Sequence, residues 1–223
     1  MLVLLAQSSA EYSQAFRKAN AEIDADAALK FTTNMHALMK LAAHLNSRSE
    51  EFSDCRHLVD MGGGSGAWAL ALTEHHKNIQ VSIFDLAPVL QFASKIIACE
   101  GSEYSDRINL IAGDFFKGPL PETADSFLLS NILHDWPPAL CSDILANISK
   151  SLAPGQKLFI HECLLDDNMI DPKFSVFFDL LMALNHHAQQ FTQKELDALL
   201  LKNGFTKSKL LSTQRKYSLL VAS

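Results

Sequence analysis

A glycine-rich stretch at residues 58–66 (LVDMGGGSG) constrains the fold of this chain more than any other feature. A short apolar run leads into the glycines, and a helical apolar pattern follows at residues 67–72 (AWALAL). The order predicts a strand, a tight turn and a helix. Glycines allow such a turn and leave main-chain N–H groups open to a ligand. The spacing lacks the third glycine of the dinucleotide-binding fingerprint, so the stretch alone is a weak signal.

A carboxylate further along the chain strengthens this interpretation. Asp85 ends the apolar run at residues 79–84, about 20 residues after the glycines, where folds of this kind bind ribose hydroxyls. Gly62, Gly64 and Gly66 are therefore candidate ligand-binding glycines. The simpler alternative is a turn that only packs a helix against a strand.

Short apolar runs and helical patterns alternate along the rest of the chain. Helices are predicted at residues 65–76, 88–99, 137–153, 172–186 and 192–202. Further strands are predicted at residues 79–84, 107–112, 124–130, from 157, and near 207–211 and 216–222. This alternation predicts an α/β fold with a mostly parallel sheet covered on both faces. The last two strands are joined too closely for a crossover helix, so they should form an antiparallel hairpin.

The N-terminal part reads as helices at residues 11–46 that precede the sheet. Its apolar residues recur at helical spacing, which predicts one face packed on the main domain. They are Phe31, Met35, Leu38, Met39, Ala42 and Leu45. The chain is accordingly divided into a helical linker at 1–46 and a ligand-binding domain at 47–223.

Composition excludes several classes of partner. A formal charge of −6 without a basic run argues against nucleic acid and anionic membranes, and 48% apolar residues suffice for a large core. The four cysteines share no metal-ligand spacing, which favours a reduced, cytoplasmic location. They are Cys55, Cys99, Cys141 and Cys163.

Ligands of open α/β sheets bind beyond the carboxyl ends of the strands. Several motifs that stand there resemble those of S-adenosylmethionine-dependent O-methyltransferases of the caffeic acid and hydroxyindole type, a Rossmann-like class I methyltransferase fold. The motifs are the glycine stretch, 84–86 (FDL), 113–116 (GDFF), 133–136 (LHDW), 162–165 (ECLL), 191–195 (FTQKE) and 203–205 (NGF). The resemblance runs from about Phe31 almost to the C-terminus.

The resemblance implies the cofactor S-adenosylmethionine, with S-adenosylhomocysteine as product and no metal. The glycine turn would hold the methionine part, Asp85 with the adjacent Leu86 the ribose, and Asp114 and Phe115 the adenine. Ser130 stands where plant members often carry a lysine near the adenine. Asp114 as an ordinary turn residue and Phe115 as a core residue are the alternatives.

His134 is implied to be the general base that takes a proton from a hydroxyl of a small aromatic acceptor. A phenol with a pKa of about 10 is mostly protonated at pH 7, and a histidine with a pKa of about 6.5 can accept its proton during attack. Glu162 would orient the imidazole; its alternative is a partly exposed carboxylate at a strand end. A structural role is the alternative for His134.

Four further residues are implied to line the acceptor pocket: Met35, Asp135, Asp179 and Met182. For Asp135 we favour a cap on the helix that begins at Pro137. Phe174, Phe177, Phe178 and Met182 are predicted to share one helix face, as core rather than pocket.

The sequence departs from the family at Gln190, which stands where a second glutamate usually faces the histidine. Glutamine cannot balance an imidazolium charge. This leaves open a related hydroxylation, decarboxylation or rearrangement, or a non-catalytic cofactor-binding protein. A metal site at His161, His186 and His187 is not supported by any ligand spacing.

The family's N-terminal dimerisation module has no counterpart here, and residues 1–46 would be the remnant of the dimerisation region. The full-length form is expected to be a homodimer.

Overall fold

The computed structural model of the protein describes residues 25–117, 119–186, 188–214 and 216–223. The strands within these ranges are β1 (His57–Met61), β2 (Gln80–Asp85), β3 (Ile108–Ala112), β4 (Ser126–Ser130), β5 (Lys157–Glu162), β6 (Ser208–Gln214) and β7 (Tyr217–Ala222). The α-helices are α1 (Ala25–Asn46), α2 (Ala67–His75), α3 (Ala87–Glu100), α4 (Pro138–Ser151), α5 (Lys173–His186) and α6 (Gln193–Lys202).

The described strands form one sheet in the order β3-β2-β1-β4-β5-β7-β6. Strands β1 to β5 are parallel, and β7 is antiparallel to both β5 and β6. The predicted parallel sheet and C-terminal hairpin are confirmed. The order reverses between β1 and β4, so the segments after these two strands diverge and leave a crevice, the usual ligand site of such sheets.

Two apolar layers cover the sheet. One contains Met39, Trp68 and Leu72, from α1 and α2. The other contains Ile144 and Leu200, from α4 and α6. Because both faces of the central strands are covered, these strands are apolar almost without interruption, as a buried parallel strand requires.

Helix α1 packs on this core, with a different buried face from the one predicted. Met39 and Ala42 are buried as expected, but Leu38 is 51% exposed, so its assignment to the apolar face is wrong. The buried stripe instead contains the polar residues Thr32 and His36. The side chain of Phe31 and residues 11–24 lie outside the described residues, and the division at residue 46 stays a prediction.

Helix α5 also corrects one expectation. Phe174 and Phe178 pack against the core and Met182 is buried, but Phe177 is 59% exposed. Positions 174, 178 and 182 are four residues apart and follow one face, whereas 177 falls on the neighbouring face with the exposed Leu180.

The sequence 192–195 (TQKE) begins helix α6 with a capping box. The Thr192 side chain accepts from Glu195 N, and the Glu195 carboxylate accepts from Thr192 N. At the other end, Gly204 has φ +97° directly after the C-cap, which confirms the predicted glycine stop. None of the helices in the described ranges is both long and apolar enough to cross a membrane.

Candidate functional site

The glycine turn between β1 and α2 has the backbone that its sequence requires. Gly62, Gly64 and Gly66 have φ values of +67°, +56° and +81°, a region that other residues rarely adopt. A Cβ on Gly62 would lie 2.5 Å from Ile132 Cδ1, whereas a Cβ on Gly64 would meet no atom closer than 3.9 Å. The turn is therefore closely packed at Gly62 and open at Gly64, where a ligand can approach the backbone.

Asp60, immediately before the turn, is a residue to which the sequence assigned no role. It is 1% exposed, and both of its carboxylate oxygens lack a hydrogen-bond partner among the described residues. A Cβ on Gly63 would lie 2.6 Å from Asp60 Oδ2, so the carboxylate lies against the turn. Burial and the charge of Asp85 raise the pKa of Asp60 to about 7. An unpaired buried acceptor suits a positively charged group of a ligand.

Asp85 joins the end of β2 to the turn. Its Oδ2 accepts from Gly64 N at 2.9 Å, and its Oδ1 accepts from Leu86 N at 2.7 Å. Burial raises the pKa of Asp85, although these two backbone hydrogen bonds oppose the rise. Each carboxylate oxygen keeps further acceptor capacity, which fits a pair of ribose hydroxyls. Leu86 is the half-buried N-cap of α3.

The segment after β3 brings an aromatic ring to the turn. A Cβ on Gly62 would lie 3.8 Å from Phe115 Cε1, so this ring is next to the glycines. Asp114 Oδ1 accepts from Phe116 N at 2.9 Å, and its Oδ2 lies 3.2 Å from Lys117 Nζ. The turn role proposed as the alternative for Asp114 is therefore present, and its contact with adenine stays a prediction.

Ser130, at the end of β4, uses its hydroxyl within the protein. It accepts from Trp68 Nε1 at 2.9 Å and lies 3.0 Å from His161 Nδ1. Burial lowers the pKa of His161 to about 3, so this ring stays neutral. The geometry gives Ser130 a place in a buried network, and its predicted contact with the cofactor is not tested.

His134 and Glu162 form a buried pair at the carboxyl ends of β4 and β5. His134 Nδ1 lies 2.5 Å from Glu162 Oε2. Glu162 Oε1 accepts from Ile132 N at 3.1 Å and from Leu133 N at 3.0 Å. The two side chains are 4% and 1% exposed, so the alternative of a partly exposed carboxylate is wrong. Because the carboxylate can only accept, Nδ1 carries the proton and Nε2 holds the lone pair of the neutral ring.

The electrostatics of this pair favour a strong base. Burial alone lowers the pKa of His134, but the charges of Glu162 and Asp135 and the Glu162 hydrogen bond outweigh it and raise the pKa to about 9. The opposite charge of the carboxylate stabilises the imidazolium. The paired carboxylate therefore makes His134 a stronger base than a free imidazole.

Asp135 does not occupy the position of a helix cap. The N-cap of α4 is Pro137, two residues further on, which has no side-chain acceptor. Instead, Asp135 Oδ1 lies 3.6 Å from His134 Nε2, longer than a hydrogen bond. The preferred prediction for Asp135 is wrong, and the structure places its carboxylate on the Nε2 side of the imidazole.

Helix α5 forms the wall beside the base. The Phe178 ring meets the His134 ring edge-on, with centroids 5.3 Å apart. The neighbouring Asp179 accepts from Gln190 N at 2.8 Å. The Gln190 side chain is buried, and neither its Oε1 nor its Nε2 has a partner among the described residues. The imidazole is thus hydrogen-bonded to one carboxylate, Glu162, with no glutamate at position 190.

The remaining predicted acceptor residues, Met182 and Met35, lie on two different helices. Met182 is buried on α5, and Met35 is half-buried against the core on α1.

Asn131 is a residue that the sequence did not indicate: it has φ +54°, is 7% exposed and donates from Nδ2 to Met39 Sδ at 2.7 Å. A non-glycine residue with positive φ stores strain, a common property of functional loops.

Of the three histidines considered for a metal, the structure describes the side chain of His161. His161 Nδ1 lies within hydrogen-bond distance of Ser130 Oγ, while the His186 side chain and all of His187 lie outside the described residues.

A different group, His44, Glu74 and His75, has ligand atoms within 4.8 Å of one another. Arg48 Nη2 lies 2.8 Å from His44 Nε2, and Arg48 Nε donates to His75 Nε2 at 3.3 Å. The guanidinium therefore lies against a nitrogen of each ring.

The sequence is similar to curated O-methyltransferases. Acetylserotonin O-methyltransferase from Bos taurus is 30% identical over 88% of this chain and 56% of its own length. The 3-hydroxy-5-methyl-1-naphthoate 3-O-methyltransferase from Streptomyces sahachiroi is 32% identical over 74% of this chain and 47% of its own. The chain spans about half the length of the curated relatives it matches.

Solved structures share the fold. Human N-acetylserotonin methyltransferase in complex with SAM has a TM-score of 0.80 and 27% identity, covering 89% of this chain and 56% of that one. The fold is thus the Rossmann-like α/β fold of methyltransferases. The family model described as the O-methyltransferase domain matches residues 4–206, and this chain therefore belongs to the O-methyltransferase domain family.

Proposed function

We propose that this protein transfers a methyl group from S-adenosylmethionine to a hydroxyl of a small aromatic acceptor. The observation that carries the proposal is the buried pair of His134 and Glu162 beside the glycine turn, at the same edge of the sheet as Asp85. The edge-on ring of Phe178 next to the base suits an aromatic acceptor.

The cofactor-binding half follows from the groups on the turn. The buried Asp60 carboxylate, which has no hydrogen-bond partner in the described part of the chain, would pair with the ammonium of the methionine part, and Asp85 would accept from the ribose hydroxyls. Leu86, Asp114 and Phe115 would enclose the adenosine end. When bound, the cofactor supplies an electrophilic methyl group on a positively charged sulfonium.

The protein's own contribution to the reaction is a base and its alignment. Glu162 fixes the tautomer of His134, so that Nε2 faces away from the carboxylate and can take the hydroxyl proton. Glu162 then stabilises the imidazolium that forms. A positive charge close to the ring lowers its pKa from about 9, so the sulfonium itself would favour the neutral base.

Methyl transfer from labelled cofactor to a panel of phenols tests the proposal directly. Methylated phenol identifies an O-methyltransferase. Cofactor consumption with another product would support a hydroxylating, decarboxylating or rearranging relative. Binding of S-adenosylhomocysteine without any turnover would support a non-catalytic protein. These two alternatives rest on the neutral side chain of Gln190, which has no hydrogen-bond partner among the described residues.

Asp85→Ala should weaken binding of S-adenosylhomocysteine by about 10²-fold in calorimetry. The substitution removes a charged acceptor and also leaves Gly64 N and Leu86 N without their partner.

Asp125→Ala is the matched control, because Asp125 also accepts from two backbone amides, Arg56 N and His57 N, next to the start of β1. It should lower stability and leave cofactor affinity unchanged. Equal affinities of Asp85→Ala and wild type, with both folded by circular dichroism, would contradict the ribose assignment.

Apolar side chains on two helices indicate that copies of the chain associate. Leu38 and Leu41 on α1 are 51% and 41% exposed, and Leu180 and Leu184 on α5 are 55% and 70% exposed. We expect light scattering to show concentration-dependent self-association, which Leu38→Glu should weaken because it places a charge in the contact.

Leu201→Glu, at a 69% exposed position on α6, is the control and should leave association unchanged. A clean monomer with full turnover would contradict the prediction and show that the chain works without a second copy. The homodimer and the cytoplasmic location stay predictions; the four unpaired cysteines support a reducing compartment.

A further inference from the structure

A histidine of helix α1 reaches the centre of the glycine turn. His36 is 8% exposed, and its Nδ1 lies 2.9 Å from Ser65 Oγ. Ser65 is 5% exposed and stands between Gly64 and Gly66, both of which have positive φ. Ser65 is the one residue within 62–66 that is not glycine. The turn therefore has a single side-chain anchor, and that anchor is bonded to α1.

The imidazole of His36 is itself held on its other side. Its Nε2 lies 3.2 Å from Glu100 Oε2, at the end of α3, and Lys40 Nζ donates to the same oxygen at 2.6 Å. Since a carboxylate only accepts, Nε2 of the neutral ring carries the proton and Nδ1 accepts from the Ser65 hydroxyl. The arrangement fixes the orientation of the ring as well as its position.

The turn needs such an anchor. Glycine loses more conformational freedom on ordering than any other residue, so a turn rich in glycine is costly to hold in one conformation. The backbone groups at the two ends of the turn are bonded to its neighbours: Gly62 N donates to Phe84 O at 2.8 Å, and Gly66 O accepts from Leu70 N at 2.9 Å. Within the turn, Gly64 N donates to Asp85 Oδ2 and Gly66 N to Gly63 O, both at 2.9 Å. A buried hydrogen bond from Ser65 adds to these and restricts the turn before any ligand arrives.

We propose that His36 is a positioning residue for the cofactor: through Ser65 it holds the glycine turn in the conformation that binds S-adenosylmethionine. This inference rests on the proposed function of the turn. It makes α1, from a part of the chain that the sequence assigned to a linker, a support of the binding site. Loss of the hydrogen bond between His36 and Ser65 should change the free energy of cofactor binding by the contribution of one buried hydrogen bond, which corresponds to about a fivefold to tenfold change in affinity.

A double-mutant cycle tests the coupling. His36→Ala and Ser65→Ala should each raise the Kd for S-adenosylhomocysteine and the KM for S-adenosylmethionine about fivefold to tenfold, with kcat at saturating cofactor nearly unchanged. The double variant should match either single variant, because both remove the same bond. His36→Asn, whose side-chain oxygen can replace Nδ1 as acceptor, should restore part of the affinity.

Ala43→Gly provides a control for general destabilisation of α1. Ala43 is fully buried on the same helix, and glycine in a helix interior should lower the Tm while leaving the Kd unchanged. Unchanged affinity in folded His36→Ala, additive effects in the double variant, or an equal loss in Ala43→Gly would each overturn the inference while leaving the proposed function intact. Failure of the wild-type protein to bind S-adenosylhomocysteine would overturn both.

Discussion

Replacing His134 by alanine should lower kcat by about 10²-fold or more and leave the Kd for S-adenosylhomocysteine nearly unchanged. In the proposed mechanism, His134 contacts the acceptor and not the glycine turn, so the loss should fall on the chemical step. It should shrink for acceptors of low pKa, which arrive already ionised. The measurement is a kcat comparison across phenols of graded pKa. His57→Ala is the control, because His57 bonds to Ser82 Oγ near the start of β1.

The pH profile gives a second readout for the same variant. A base works only when deprotonated, so the wild-type kcat/KM should rise with pH until it passes the pKa of His134, which is about 9 in the protein alone and lower beside the sulfonium. The alanine variant should lose that step. If His134→Ala turns over a neutral phenol at close to the wild-type rate, the histidine is structural and catalysis rests on alignment.

Glu162→Gln should be nearly as damaging, with the shape of the side chain preserved. Glu162 accepts from Ile132 N, Leu133 N and the His134 ring, so the amide oxygen of glutamine would stay with the backbone donors. Its NH₂ group would then face Nδ1 and favour the tautomer that carries the proton on Nε2. That tautomer cannot accept a proton from the acceptor, and we expect kcat to fall by about 10²–10⁴-fold.

The pH profile separates this effect from simple misfolding. Without the carboxylate charge the pKa of His134 should fall, so any residual activity should reach its plateau at a lower pH than in the wild type. Glu51→Gln is the control, since Glu51 pairs with Lys157 at the start of β5. Wild-type kcat and an unshifted profile in Glu162→Gln would show that the carboxylate does not set the state of the base.

The parts of the site that stand directly after strands were predictable from the sequence. Parallel strands place their carboxyl ends at one edge, so Asp85, His134 and Glu162 were expected near one another before any coordinates. The register of β4 with β5 opposes Ser130 to His161, which puts Glu162 beside the segment that carries His134. The alternation of strand and helix patterns, together with the positions of the glycines, was sufficient to predict the fold.

The contacts that depend on side-chain burial were not predictable. Asp60 reads as one more polar residue in a strand, and nothing in its neighbours shows that its carboxylate is left unpaired beneath the turn. Asn131 adopts positive φ without the glycine that would signal it. Asp135 precedes a helix as a cap would, but the chain begins α4 at Pro138 with Pro137 as N-cap. His36 lies 29 residues from Ser65 and no local pattern joins them.

In the proposed mechanism, the hydrogen bonds from Ile132 N and Leu133 N to Glu162 would separate the chemical step from the choice of acceptor. They tie the segment that carries the base to a strand in the middle of the sheet. The proposed acceptor wall comes from α5 and the segment with Gln190, which these two hydrogen bonds do not involve. Substitutions on that wall, other than at Phe178, which packs against the His134 ring, would then change which hydroxyl compound is accepted without moving the base. A site divided in this way would acquire new substrates through substitutions in the wall, while the pair of His134 and Glu162 keeps its reactivity.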